Sequence, residues 1–413
     1  MGVSKSQQWA ERSLRSIPWG SSTCSKAPSF LPEEPGVIVR GKGCRVWDAD
    51  GKEYIDYRNG LGPVTLGYGY PAVDEAIREQ LANGIVFGHP HTLECEVAEL
   101  ACELIPCAEQ ARFLKTGGEA LAAAIRIARH YTGRDHIVQV GYNGWVNALA
   151  AGSATLPGQK AQSVPGVPAA VSALHHASAW NDIGQLERLF EQYDGQIAAL
   201  IVAADYEHIG AGKTFYPAIR ALTEKHGALL VYDEIVTGFR IAIGGVQQYF
   251  GVNPDLAVFS KGIANGMPLS VYAGRKEVMK ACDVGGTVIS STFGGEMLSL
   301  AAAKASMTIY KEQDVVGHLW KQGERMWGGL NRIFAEKEIP MKMAGLWPCP
   351  TFVAEPGAKA DLKERFFRLA YRHGVSLYNV SYVNYSHGDQ DIDETLERLQ
   401  GVCEQLQKEM EAE

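Results

Sequence analysis

No CxxC pair and no tight cysteine cluster occurs among the eight cysteines, Cys24, Cys44, Cys95, Cys102, Cys107, Cys282, Cys349 and Cys403. That spacing excludes a zinc ribbon and a small disulfide scaffold, and it reads as reduced thiols in a cytoplasmic protein. A basic stripe is also missing: 39 Lys and Arg stand against 47 Asp and Glu, a formal charge of -8, which argues against nucleic acid as the main partner. Long apolar runs are absent. The aliphatic stretch "AALIVAA" (198–204) is far too short to span a bilayer, and "MGVSKSQQWAERSL" lacks the apolar stretch of a signal peptide. Met1-Gly2 with Ser6 fits a myristoylation pattern so short that it recurs by chance. No repeat and no low-complexity segment interrupts the chain.

What remains is a soluble globular protein of 413 residues, 46% hydrophobic and 21% charged, long enough for two domains. From about 55 to 300, helical and strand-like segments alternate, as in an α/β sheet with helices on both faces. "HIVQVGY", "AALIVAAD", "ALLVYDEI" and "LAVFSKG" are short apolar runs ending in polar or glycine residues, the pattern of buried parallel strands delivering residues to a site. "EALAAAIRIARHYTG" (119–133) and "YPAIRALTEKHG" read as amphipathic helices closed by Gly133 and Gly227. Residues 36–57 alternate like a hairpin around "DADG". Beyond about 305 come long amphipathic helices, among them "ASMTIYKEQDVVGHLWKQGERMWGGLNRIF". The expectation is a large domain over 58–305 and a smaller α+β domain built from 1–57 and 306–413.

Four pieces carry chemistry. Asp233 ends an apolar strand, where a buried carboxylate needs a cationic or protonated partner; helix capping or a salt bridge is the ordinary alternative. Lys261 ends the next strand, so an amine and an acid reach one crevice. Thr116, Gly117 and Gly118 stand just before a helix, whose free amides and dipole favour an anion, although a simple turn would look the same. In "VGYNGW", Tyr142 or Trp145 follows a strand and is placed either to stack on a flat ring or to fill a core. Together they describe a site for pyridoxal 5'-phosphate: a cup for its phosphate, a carboxylate for its ring nitrogen, an aromatic lid and a lysine for its aldehyde. His89, His91, Glu94 and Cys95 ("HPHTLEC") lack a second ligand cluster and read better as substrate contacts or packing at the start of a helix than as a metal site.

On "GCRVWDADGKEYIDYRNGLGPVTLGYGYPAV", "DEIVTGFRIAIGGVQQYFGVNPDLAVFSKGIANGMPLS" and "NYSHGDQDIDETL", the sequence resembles the class III, fold type I pyridoxal-phosphate aminotransferases, and within them the glutamate-1-semialdehyde aminomutase branch. The likeness covers nearly the whole chain. It implies that Lys261 is the Schiff-base lysine, that Asp233 partners the pyridinium nitrogen, and that Ile235 presses on the ring opposite Tyr142. It also implies that Thr116, Gly117 and Gly118 form the phosphate cup, and that Thr292 reaches the cofactor phosphate of a neighbouring subunit, hence a homodimer. The implied reaction takes an amino group from a small-molecule donor, through the pyridoxamine form, to an aldehyde or ketone on a polar, sugar-like or secondary-metabolite substrate; an intramolecular aminomutase is the alternative. A protein that keeps the fold for binding or regulation without turnover is a third reading, opposed by intact Lys261, Asp233 and the cup.

Departures bear on the substrate. The family's Glu-Pro after the strand preceding the aspartate strand is here Ala203-Ala204, which bears against glutamate as donor. Its Tyr-His-Gly lid is Tyr142-Asn143-Gly144, and the Ser-x-Trp-Gly-Pro of aminomutases is Asn59-Gly60-Leu61-Gly62-Pro63. The Ser-Gly-Asn-Pro after the threonine is Gly294-Gly295-Glu296-Met297.

Overall fold

The computed structural model describes residues 4–146 and 165–412; Met1 and Gly2, the start of the acylation pattern, lie outside the described residues. In chain order the strands are Ile38–Lys42 (β1), Arg45–Asp48 (β2), Glu53–Asp56 (β3), Gln110–Leu114 (β4), His136–Val140 (β5), His175–Ser178 (β6), Ile197–Ala203 (β7), Leu229–Asp233 (β8), Leu256–Phe259 (β9), Ser270–Gly274 (β10), Met341–Ala344 (β11), Thr351–Ala354 (β12) and Val375–Ser376 (β13). The chain divides into two compact units, Pro71–Val316 and the combination of Met1–Tyr70 with Gly317–Glu413. The changes of character seen in sequence, at 57/58 and 305/306, fall short of both dividing points.

In the unit Pro71–Val316, one sheet has the order β4-β10-β9-β8-β7-β5-β6. β6, β5, β7, β8 and β9 run parallel, and β10 is antiparallel to both β9 and β4. β4 therefore points the same way as the parallel strands, and the carboxyl ends of β4, β5, β7, β8 and β9 share one edge of the sheet. Ligand crevices of α/β sheets lie at that edge. All residues of β7, β8 and β9 are buried, which is why they read as continuous apolar runs rather than alternating ones.

The helix Gly117–Thr132 lies against this sheet. Its buried face is Ala120, Leu121, Ala123, Ala124, Ile125, Ile127 and Ala128, packed with Ile137, Ala199, Ile201, Val231 and Val258. Alanines bring the helix axis close to the strands, and each buried Leu or Ile contributes roughly 1.5–3 kcal/mol. Thr116 caps its start, and Gly133, at φ 65°, ends it in the left-handed conformation glycine favours. The helix Gly212–His226 starts well before the "YPAIR" stretch that signalled it.

In the other unit, β1, β2 and β3 form an antiparallel meander with β13 added parallel to β3, so the expected single hairpin is two consecutive ones. β11 and β12 make a separate antiparallel ribbon. The long helix expected from about 305 is broken: Met297–Glu312 and Val315–Glu336 are separate helices. Gln313 adopts an extended conformation (φ -127°, ψ 147°), and the aspartate after it is a residue type that favours helix starts over interiors.

Candidate active site

β8 and β9 run side by side, with Asp233 in register with Val258, and Glu234 N–H donates to Val258 O at 2.9 Å. Three residues beyond Val258 the chain reaches Lys261. Ser260 Oγ donates to Leu269 O at 2.7 Å, tying the strand end to the segment that leads into β10. Lys261 itself adopts φ 47°, and Asn265 φ 42°; left-handed backbone is uncommon for residues with a side chain.

Asp233 ends β8 and Glu234 follows it directly, and the two carboxylates find different partners. Glu234 is fully buried; its carboxylate accepts from Val246 N at 2.8 Å, from Gln247 N at 3.1 Å and from the Thr237 hydroxyl. It caps the helix Val246–Phe250 and is spoken for. Asp233 faces the crevice side with Ile235. Its Oδ1 accepts Ile235 N–H at 3.0 Å and its Oδ2 accepts Asn143 Nδ2 at 3.3 Å.

Burial pushes the Asp233 carboxyl up to about 6, opposed by the two hydrogen bonds and by the Lys261 amine. Desolvation drives the Lys261 amine down to about 8; Asp233 resists this, and the buried Arg240 guanidinium adds to it. An acid and an amine whose protonation is brought toward neutrality by a shared dry environment are the arrangement expected of proton-transfer chemistry.

At the end of β4 the cup is built. Thr116 Oγ1 accepts Glu119 N–H at 3.3 Å, while Glu119 Oε2 accepts from Lys115 N, Thr116 N and Thr116 Oγ1 at 3.1, 2.8 and 3.2 Å. Thr116 is therefore committed to capping. The N–H groups of Gly117 and Gly118 open the helix with no partner among the described residues, the donor set that suits a phosphate. A Cβ on Gly117 would overlap Ile235 Cδ1, so Ile235 lies directly against the cup and joins it to the Asp233 strand. Ile235 also carries Asp233's first hydrogen bond.

The structure thus brings Asp233, Ile235, Gly117 and Gly118 together, with Lys261 close enough for its charge to act on Asp233. Tyr142 and Trp145 are exposed, at 69% and 83%. Between them Asn143 is buried, and it is the residue of that stretch that reaches Asp233. The sequence signalled Asn143 only as the replacement of a histidine in the lid. Its Oδ1 is buried without a partner among the described residues, an acceptor waiting for a donor at the crevice. Thr292 stands on an exposed turn before the helix Met297–Glu312. His91 and Glu94 form the capping box of the helix Thr92–Leu104: His91 Nδ1 accepts Leu93 N–H at 3.1 Å, and Glu94 Oε1 accepts His91 N–H at 3.4 Å.

Free helix amides, a cradle that tolerates no Cβ, a strand-end carboxylate and a strand-end amine fit pyridoxal 5'-phosphate part by part. Comparison with known proteins agrees. Residues 32–402 match the family described as aminotransferase class-III. A glutamate-1-semialdehyde 2,1-aminomutase of Acetivibrio thermocellus is 35% identical over 97% of either chain. Among solved structures, a transaminase with PLP bound superposes with a TM-score of 0.90 at 26% identity over 99% of both chains. An omega-transaminase from Sphaerobacter thermophilus does so with 0.89 at 25% identity over 98% of both.

Proposed function

Since this chain belongs to the class-III aminotransferases, which work with pyridoxal 5'-phosphate, we propose that Lys261 and Asp233 are its catalytic residues. We propose further that its acceptor is an aldehyde or ketone on a polar, sugar-like or secondary-metabolite framework. The observation that carries the assignment is the convergence of the Lys261 amine and the Asp233 carboxylate at the ends of two neighbouring parallel strands, beside a helix start with free amides. Bound pyridoxal 5'-phosphate supplies an aldehyde that takes an amine and a ring that accepts the electron pair released from the substrate carbon. Lys261, with its amine pushed down to about 8, offers an unprotonated nitrogen near neutrality, first as nucleophile and then as the base that takes and returns the substrate proton. Asp233, held in its orientation by Ile235 N–H and Asn143, keeps a proton on the ring nitrogen. Gly117 and Gly118 would hold the phosphate, with Thr116 capping the helix that forms the cup, and Ile235 and Tyr142 would flank the ring.

The wall of the crevice supports a neutral, polar substrate. Ala203 pairs in register with Asp233, so the strand beside the acid ends in a methyl group where relatives carry a glutamate. A screen of amine donors and carbonyl acceptors, read by mass spectrometry, tests this: the expected result is amination of a hydroxylated aldehyde or ketone. A holoprotein that never passes to the pyridoxamine form with any donor would sink the transaminase reading. The aminomutase reading has its own support in the relative from Acetivibrio thermocellus. Release of 5-aminolevulinate from glutamate-1-semialdehyde by the pyridoxamine form would decide for it.

A homodimer completes the site in this reading. Phe293, next to Thr292, and Val288, four residues before it, are exposed at 56% and 72%, apolar residues that would suit contact with a second copy receiving Thr292 at its cofactor phosphate. The eight cysteines are free thiols, which supports the cytoplasm as the compartment. Among the described residues no helix is long and apolar enough to cross a membrane.

A further inference from the structure

Lys115 separates β4 from the cup, and its ammonium turns away from it. Nζ donates to Glu296 Oε1 at 2.6 Å, to Ser299 Oγ at 3.1 Å and to Pro268 O at 3.1 Å. An ammonium has three N–H donors, so none is left for a phosphate. The three acceptors come from two places: Glu296 and Ser299, whose hydroxyl also donates to Glu296 Oε1, open the helix Met297–Glu312 just beyond Thr292, and Pro268 lies in the segment between Lys261 and β10. Glu296 is itself fixed as the cap of that helix, accepting Leu298 N at 2.9 Å and Ser299 N at 3.0 Å. The side chains of the pair are only 16% and 9% exposed, so the contact is neither screened like a surface pair nor free to wander.

We propose that the Lys115–Glu296 pair is a positioning device for cofactor binding: it fixes the cup against the Lys261 segment and the Thr292 turn without touching the cofactor. The inference rests on the reading of Thr116–Gly118 as the phosphate cup. It differs from a simple charge effect in sign. If Lys115 acted only as a positive charge near the phosphate, cancelling Glu296 would tighten cofactor binding; if the pair acts by position, losing either member weakens it.

The test is equilibrium titration of the cofactor-free protein with pyridoxal 5'-phosphate, followed by absorbance, alongside thermal melting of the same cofactor-free samples. Lys115→Met and Glu296→Gln are each expected to raise the cofactor Kd about tenfold or more, and the double variant less than the product of the two, as residues in contact do. Lys115→Arg keeps the charge, yet a longer, planar guanidinium cannot take the ammonium's place among Glu296 Oε1, Ser299 Oγ and Pro268 O, so its Kd rises about threefold or more. Tighter binding by Glu296→Gln overturns the proposal. So does a Kd within about twofold of wild type for Glu296→Gln and Lys115→Arg, even where melting shows a loss of stability. Gly117→Ala separates this from the reading beneath it: weakened binding there with unchanged pair variants rejects the positioning role alone, and unchanged binding in Gly117→Ala rejects the cup and with it the proposal.

Discussion

Single side chains in this crevice have separable jobs, and substitutions should fail in different ways. If Lys261 is the base proposed above, Lys261→Ala is expected to lower turnover on the order of 10³-fold or more; stopped-flow mixing with donor should show no conversion to the pyridoxamine form, and full turnover would refute the assignment. Asp233→Asn keeps the shape but removes the proposed anionic partner of the ring nitrogen, so activity is expected to fall on the order of 10²-fold while cofactor remains bound; a variant as fast as wild type would mean another group serves that nitrogen. Lys261, Asp233 and the glycines stand out in sequence because each breaks a local rule: a charge at the end of an apolar strand, or paired glycines at a helix start. Asn143 and Lys115 break none. Their roles arise only when the fold brings them to Asp233, 90 residues on, and to Glu296, 181 residues on.

Whole elements were read best where burial is two-sided. β7, β8 and β9 announce themselves as unbroken apolar runs because helices cover both faces, whereas β1 and β2, half exposed, merged in sequence with their turn. The break at Gln313 and Asp314 was missed since the apolar periodicity continues across it. Strand and helix are joined by a buried ionic tie at Asp255, just before β9: Oδ2 accepts Leu230 N–H of β8 at 2.7 Å and Arg220 of the helix Gly212–His226 at 3.0 Å, and Oδ1 pairs with Arg275 at 2.9 Å. Asp255→Ala leaves the Leu230 amide unmet and the Arg220 guanidinium with only Glu224 as ion-pair partner, and should lower stability by about 2–3 kcal/mol in urea titration. A loss under 1 kcal/mol would show that water replaces the carboxylate.

At the level of the molecule, pH acts on stability with two opposite signs. Burial holds His175 and His176, in the sheet unit, at about 4, and His387, in the other unit, at about 3. Depressed imidazoles bind protons more readily when unfolded, so their contribution is full above about 6.5 and lost as pH falls toward 4. Asp233 and Glu234, raised by burial to about 6 and about 7, contribute in the reverse sense: full below about 4 and lost as pH rises through 6 to 7. Cofactor-free Asp233→Asn should therefore gain on wild type in urea midpoint between about pH 4 and 7, and His175→Gln should lose less than wild type between pH 7 and 4.5; parallel curves would remove these residues as the source. The same opposition between function and stability is sharpest at the left-handed φ of Lys261. Glycine takes that conformation freely and brings no amine into a dry site. Lys261→Gly should thus melt higher than cofactor-free wild type and Lys261→Ala lie between them; with Lys261 as the proposed catalytic lysine, the most inert version of this enzyme would also be its sturdiest, and a search for thermostable variants blind to activity would drift toward losing that lysine.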